Sequence, residues 1–188
     1  MRLHILTTLA VIFCQTILCV NAEEQASRLR VIGLCSPDRQ DDLREIVRTM
    51  PDVQLGSLDY DNAEATFHFD TAKVFTNFNP KKPPTTGQIV TRLDELLKRA
   101  SQGTFSVTPL STIPKDKLAV VEIHIGILDC KGCRLGAYQA VAKQNGVERA
   151  TVNSEKGILT AWIDPAKMDR SALEAALKKA RVDLPAKP

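Results

Sequence analysis

A short, mostly apolar stretch over 29–34 predicts a strand, and apolar residues then recur at Leu43, Ile46, Val47 and Met50, the i, i+3, i+4, i+7 spacing that lines one face of a helix. Two runs of alternating character follow at 53–60 and 63–69, joined by Asp61-Asn62, which predicts a hairpin. A second helix is predicted around 88–100, with Ile89, Leu93, Leu96 and Leu97 on one side, and a closing strand at 104–110. The order is βαββαβ. It then recurs: a strand at 118–127, a helix at 132–145, strands at 147–154 and 157–164, a helix at 171–180 and a short last strand at 182–184.

The two halves align residue for residue as well as element for element. At one constant spacing Val53 pairs with Val147, Thr66 with Thr160, and Asp70-Thr71-Ala72-Lys73 with Asp164-Pro165-Ala166-Lys167. The second helices align at a shorter spacing, Leu93 with Leu173 and Ala100 with Ala180, so the first half carries an insertion around 75–86. Its Asn79-Pro80-Lys81-Lys82-Pro83-Pro84 predicts an extended loop. Residues 111–117, with Pro114, are the expected linker.

Strands and helices in this order close most simply as a four-stranded antiparallel sheet with both helices on one face. The expected class is therefore α+β, two ferredoxin-like βαββαβ sandwiches in tandem. Each sheet would leave one face open. Val121, Ile123 and Ile125 are expected to point to the helices, with Glu122, His124 and Trp162 on the open face. An exposed Trp needs a cover, so the open faces of the two copies, or of two chains, are expected to pack there.

The amino terminus reads differently. Arg2 precedes a mostly apolar run over 5–20 and small residues at Val20-Asn21-Ala22, the layout of a signal peptide cleaved after Ala22, which predicts an exported, periplasmic or secreted chain with no membrane attachment after cleavage. Removing 1–22 takes Cys14 and Cys19, leaving Cys35, Cys130 and Cys133 of five cysteines, an odd set that argues against a disulfide framework. A net charge of +3 with acids and bases interspersed gives no reason to expect nucleic acid or anionic lipid as a partner.

Candidate chemistry is concentrated at Cys130-Lys131-Gly132-Cys133, where the first strand of the second half hands over to its first helix. A compact dithiol binds soft metals and also performs redox chemistry, and the pair alone does not choose. Cys133 is expected near the unpaired amides and positive end of the helix, which favours its thiolate, with Lys131 and Arg134 adding positive charge and Asp129 opposing it slightly. Two thiolates suit a soft d10 ion such as Cu(I), whereas structural zinc wants four ligands and no second cluster is present. His4, His68 and His124 are scattered and read as incidental.

The second half thus resembles the heavy-metal-associated domain family of copper chaperones, P-type ATPase metal-binding domains and the periplasmic mercury-binding protein. The signature there is roughly Gly-Met-x-Cys-x-x-Cys, against Ile127-Leu128-Asp129-Cys130-Lys131-Gly132-Cys133 here, with Leu128 as a similar apolar plug in the Met position. The resemblance covers 118–184 and, more weakly, 29–110. It implies that Cys130 and Cys133 are the metal ligands for Cu(I), or for Hg(II), Cd(II) or Zn(II), and that the protein sequesters or transfers the ion without being an enzyme. A metal-donor or acceptor protein is the implied partner, and homodimerisation stays open. Family members often carry Tyr, Phe or Lys in the loop before the last strand; here Lys179-Ala180-Arg181-Val182 offers Lys179 or Arg181 to offset an anionic complex.

The first half is a degenerate copy. Ser36 and Arg39 fall at the two cysteine positions, or Cys35 and Asp38 in a register shifted by one, and neither gives two thiols. Asp38 is expected as a helix N-cap after Ser36-Pro37, and Cys35 as a minor candidate for a third thiolate. Two other functions compete: a thiol-disulfide oxidoreductase, and an interaction module whose Cys pair is oxidised.

Overall fold

The computed structural model describes residues 24–185. The signal-peptide expectation, Cys14, Cys19 and His4 lie outside the described residues. The chain runs β1 (Glu24–Ile32), α1 (Arg39–Arg48), β2 (Val53–Asp59), β3 (Glu64–Asp70), a single turn α2 (Thr71–Val74), α3 (Thr86–Ala100) and β4 (Ser106–Thr108), then β5 (Ala119–His124), α4 (Lys131–Ala142), β6 (Val147–Asn153), β7 (Ile158–Ile163) and α5 (Arg170–Lys179).

The first sheet has strand order β2-β3-β1-β4 and antiparallel pairing throughout, the ferredoxin-like arrangement. Its core side is set by alternation along β3, where Ala65, Phe67 and Phe69 are buried and their neighbours half-exposed. Leu43 and Val47 of α1 and Val90, Leu93 and Leu97 of α3 cover that side. β1 begins earlier than its apolar run because the polar stretch from Glu24 pairs along the full length of β3.

The second sheet has order β5-β7-β6, the same connectivity with one strand fewer. Ala150, Val152, Leu159, Ala161 and Ile163 alternate inward against Ala137, Tyr138 and Val141 of α4 and Leu173 and Leu177 of α5. The last strand expected at 182–184 does not form. Helix α5 ends in a Schellman motif: the Arg181 N–H donates to Lys178 O and the Val182 N–H to Leu177 O, with Arg181 at φ +60. That turn aims Val182 and Leu184 back onto the core as packing residues rather than out along β5. In the first unit α3 ends in the same way, with Gln102 at φ +52 and the Gly103 N–H on Lys98 O, and the chain then has room to reach β4.

The repeated Asp-x-Ala-Lys segments form the same local turn in both units. The Ala72 N–H donates to the Asp70 carboxylate (2.9 Å) and the Ala166 N–H to the Asp164 carboxylate (3.0 Å), each with the following lysine as an ion-pair partner. Hydrogen bonds inside these turns, with Lys167 close by, hold Asp164 below the usual carboxylate range.

The units meet through the β1–α1 loop and along a seam where outward residues of both sheets, Arg30 and Glu64 on one and Val120 and Trp162 on the other, line one cavity. The Val152 N–H, on the edge strand β6, donates to Cys35 O (2.7 Å), and the Cys35 side chain lies buried in the core of the second unit. The Gly33 N–H donates to the Tyr138 hydroxyl (2.9 Å) in a buried setting. Arg30 donates across the seam to Val147 O (2.8 Å), Glu148 O (2.7 Å) and the Glu148 carboxylate (3.0 Å). Trp162 does lie on the face away from the helices, half-buried as the alternation requires. Its cover is the Arg149 guanidinium, 4.3 Å above the ring, with Tyr60 of the first unit 5.5 Å beyond. The expected contact between open faces is thus made in part, through Arg149 and the cavity beside it rather than by close sheet-on-sheet packing.

Candidate metal centre

The site loop begins where β5 meets the β6–β7 turn. The Ile125 N–H donates to Gly157 O (2.8 Å), and both Gly126 (φ +70) and Gly157 (φ +61) take left-handed conformations. The approach leaves no space for a side chain: a Cβ at Gly157 would lie 2.6 Å from the Gly126 carbonyl carbon. After that crossing Ile125 is buried, Ile127 stands 70% exposed, and Leu128 turns back to pack on the core as the apolar plug its position implied.

Cys130 is the N-cap of α4, with extended dihedrals (φ −81, ψ 124), and its Sγ accepts the backbone N–H of Cys133 at 3.2 Å. Sulfur here takes the role that an Asp or Thr oxygen takes at the starts of α2, α3 and α5. Both thiols are free and exposed, and Gly132 between them leaves room, since a Cβ there would sit 3.6 Å from Cys130 Sγ.

The two thiols titrate in opposite directions. Cys130 is held below the usual thiol range, first by the Cys133 thiol donating to it, then by the Cys133 backbone N–H, with Arg134 adding a smaller attraction. Cys133 is pushed above that range because it is the donor in that bond and because charge on Cys130 repels its own ionisation. The helix start therefore favours the thiolate at Cys130, whose sulfur accepts the backbone N–H, rather than at Cys133 as the helix-start argument expected. The residue that reaches the free amides of a helix is its N-cap, and Cys133 sits one turn inside.

Of the two cations considered in the last loop, Arg181 lines a 610 Å³ cleft together with Cys133, Leu128 and Gly136, while Lys179 takes no part in it. A further charge comes from the first unit, which the sequence does not signal. Asp38 is held low by a hydrogen bond from Ser36 and by the nearby Lys131 and Arg134, so the loop before α1 brings a carboxylate to the basic flank of the thiol pair. Asp38 does not cap α1 with its side chain, as was expected; it sits in helical dihedrals, and no side-chain capping bond is made.

Cys35 is buried, its thiol pushed up by desolvation, and its sulfur has Ser36 Oγ at 3.8 Å. It does not join the pair. Among the described residues no group of three or more His, Cys, Asp or Glu converges on one point. His124 is exposed on β5, and His68 lies on β3 with Glu24 at 3.8 Å. The arrangement therefore offers a two-sulfur site open to solvent, one sulfur already inclined to ionise, on a loop held at its base by the glycine crossing.

No protein-family model and no curated protein matches the sequence. Among solved structures, the chain is similar to the water-soluble region of the P-type ATPase CopA from Bacillus subtilis, with 18% identity and a TM-score of 0.34 over 87% of this chain and 91% of that one. It is likewise similar to the solution structure of the N-terminal soluble domains of Bacillus subtilis CopA, with 18% identity and a TM-score of 0.31 over 84% of this chain and 90% of that one. A superposition at that level establishes no common arrangement, and the ferredoxin-like assignment stands on strand order and connectivity.

Proposed function

We propose that Cys130 and Cys133 form a dithiolate site that takes up one soft metal ion per chain, Cu(I) first and Hg(II), Cd(II) or Zn(II) after it, to sequester or transfer it without catalysis. In this reading 1–22 is a signal peptide, 29–110 a degenerate domain lacking the Cys pair, 111–117 a linker and 118–184 the metal-binding domain, and the chain works outside the cytoplasm. The observation that carries it is the thiol pair itself: exposed, unbridged, and with one sulfur seated on a backbone N–H that lowers the cost of ionising it. Two sulfurs without a third ligand suit an ion content with low coordination, and an exposed pair suits exchange of that ion with another protein.

Titration of the reduced mature chain with Cu(I) against a competing chelator, beside Cys130→Ser and Cys133→Ser, tests the proposal. One equivalent bound by the native chain and none by either variant is the expected result; binding that survives in both variants overturns it. A second reading has an observation of its own. A low thiol partnered by a high one is also the pattern of a dithiol oxidoreductase, whose first sulfur attacks and whose second resolves. Reduction of insulin by the native chain, with no metal binding, would establish that reading instead.

A further inference from the structure

Away from the thiols, a cavity of 250 Å³ lies along the seam between the units, walled by Val120, Trp162, Leu118 and Ile113. Arg149 also lines it, and its position is unusual for a half-buried guanidinium. It is stacked on Trp162 at 4.3 Å with Tyr60 5.5 Å from it on the first unit, its Nε is buried with no hydrogen-bond partner, and no ion pair reaches it among the described residues. Buried polar groups ordinarily find partners. Here two aromatic rings hold the guanidinium plane in place and leave its fork without a protein acceptor.

The charges around the cavity mostly cancel in pairs. The lining carries three cations, Arg30, Lys115 and Arg149, and three anions, Asp61, Glu64 and Glu148; Glu148 is tied to Arg30 (3.0 Å) and Glu64 to Arg28 outside the cavity (2.7 Å). Lys115 donates to the Asn62 side chain, so Arg149 is the lining cation that no protein acceptor engages, and it stands beside an apolar wall to which Val120 contributes a side chain otherwise 58% exposed. One unengaged guanidinium in an otherwise balanced lining suits a monoanion better than a phosphate dianion, and the cavity is smaller than the usual pocket for a drug-sized ligand.

We propose that this seam cavity binds a monocarboxylate with a short apolar body, its carboxylate on the free fork of Arg149 and its hydrocarbon on Val120 and Trp162. Planar bidentate pairing is the geometry a guanidinium offers a carboxylate. The site is independent of the Cys130–Cys133 pair and uses both units, because Tyr60 of the first unit also lies against the arginine.

Trp162 is the sole tryptophan of the chain, so its fluorescence reports on the cavity directly. The mature chain is titrated with butyrate, hexanoate and octanoate at constant ionic strength, with sulfate and hexylamine as the inorganic-anion and cation arms, and calorimetry supplies affinities where a variant alters the fluorescence itself. Saturable binding that tightens from butyrate to hexanoate, falls about tenfold or more in Arg149→Met, and rises a few-fold in Asp61→Asn is the expected result. Absence of saturation, equal binding of hexylamine, or sulfate binding as tightly as hexanoate overturns the proposal. Asp61→Asn leaves the stacked arginine in place, so an unchanged hexanoate affinity in that variant counts against the site even if Arg149→Met disturbs the seam.

Discussion

At the start of α4 a sulfur does what oxygen does at the starts of α3 and α5, where Thr85 accepts from the Gln88 N–H and Asp169 from the Ala172 N–H. A thiol is a weak acceptor and a thiolate a better one, so the cap improves when Cys130 ionises and ionisation becomes easier because the cap exists. Cys133 sees the reverse, since giving up its proton would leave two charges within one helical turn. The order of deprotonation follows: Cys130 first, below the ordinary thiol range, and Cys133 later, above it. The pH profile of iodoacetamide labelling, mapped by mass spectrometry, should show Cys130 modified first as pH rises. Cys133→Ala should move the Cys130 midpoint upward by removing its thiol donor, and Cys130→Ala should move the Cys133 midpoint downward. Equal midpoints in the native chain would contradict this account. The sequence placed both cysteines correctly at the strand-to-helix junction, but it could not say which of them was the cap; that depends on where the helix starts, and Gly132 between them is compatible with either.

At the scale of the element, α4 is the helix that both carries the thiols and contacts the first unit. Tyr138, buried and bonded to the Gly33 N–H, has its hydroxyl pushed up to about 12, chiefly by burial. The neutral phenol is the form the fold accepts. Because the folded value lies above the unfolded one, this contribution to stability is complete below pH ~10, where an unfolded tyrosine begins to ionise, and is lost progressively as pH rises toward 12. Tyr138→Phe leaves the buried Gly33 N–H without an acceptor and should cost about 1–3 kcal/mol at neutral pH. It should also flatten the alkaline fall in stability, and chemical denaturation of both chains at neutral and alkaline pH measures the two effects together. A variant as stable as the native chain at neutral pH, with the alkaline fall intact, would show that the bond carries no weight. Most elements were legible from periodicity: Leu43 and Val47 on α1 and the alternation of Ala65, Phe67 and Phe69 along β3 fall where the pattern put them. The strand expected at 182–184 was not. Val182 and Leu184 alternate like strand residues, but a Schellman turn at Arg181, a residue with no glycine-like signal for φ +60, redirects them onto the core.

For the whole molecule, the β1–α1 loop of the first unit is the joint. Leu34 belongs to the first core and its neighbour Cys35 to the second, so two adjacent residues anchor two cores. Nothing in the local sequence marks that division, because an apolar pair after a strand satisfies any core within reach; only the assembled fold decides. Arg30 secures the joint from the next strand position, its guanidinium satisfying two backbone carbonyls and a carboxylate of the second unit while its Nε holds Thr108 of the first (3.0 Å). Both side chains of the Arg30–Glu148 pair are only 17% exposed, so removing one partner leaves the other charge poorly solvated. Arg30→Ala should therefore cost roughly 2–3 kcal/mol, and the loss should fall on the coupling between units rather than on either core. The Cys35 thiol reports this directly, being buried at the joint while Cys130 and Cys133 are exposed. In a Cys130→Ser, Cys133→Ser background, maleimide should label Cys35 of the native joint only at the rate of global unfolding. With Arg30→Ala added, labelling should outpace global unfolding, and denaturation should separate into two transitions. Labelling that tracks global unfolding in both chains, with one shared transition, would mean that the loop belongs to the second unit's core strongly enough to hold the units together without the arginine.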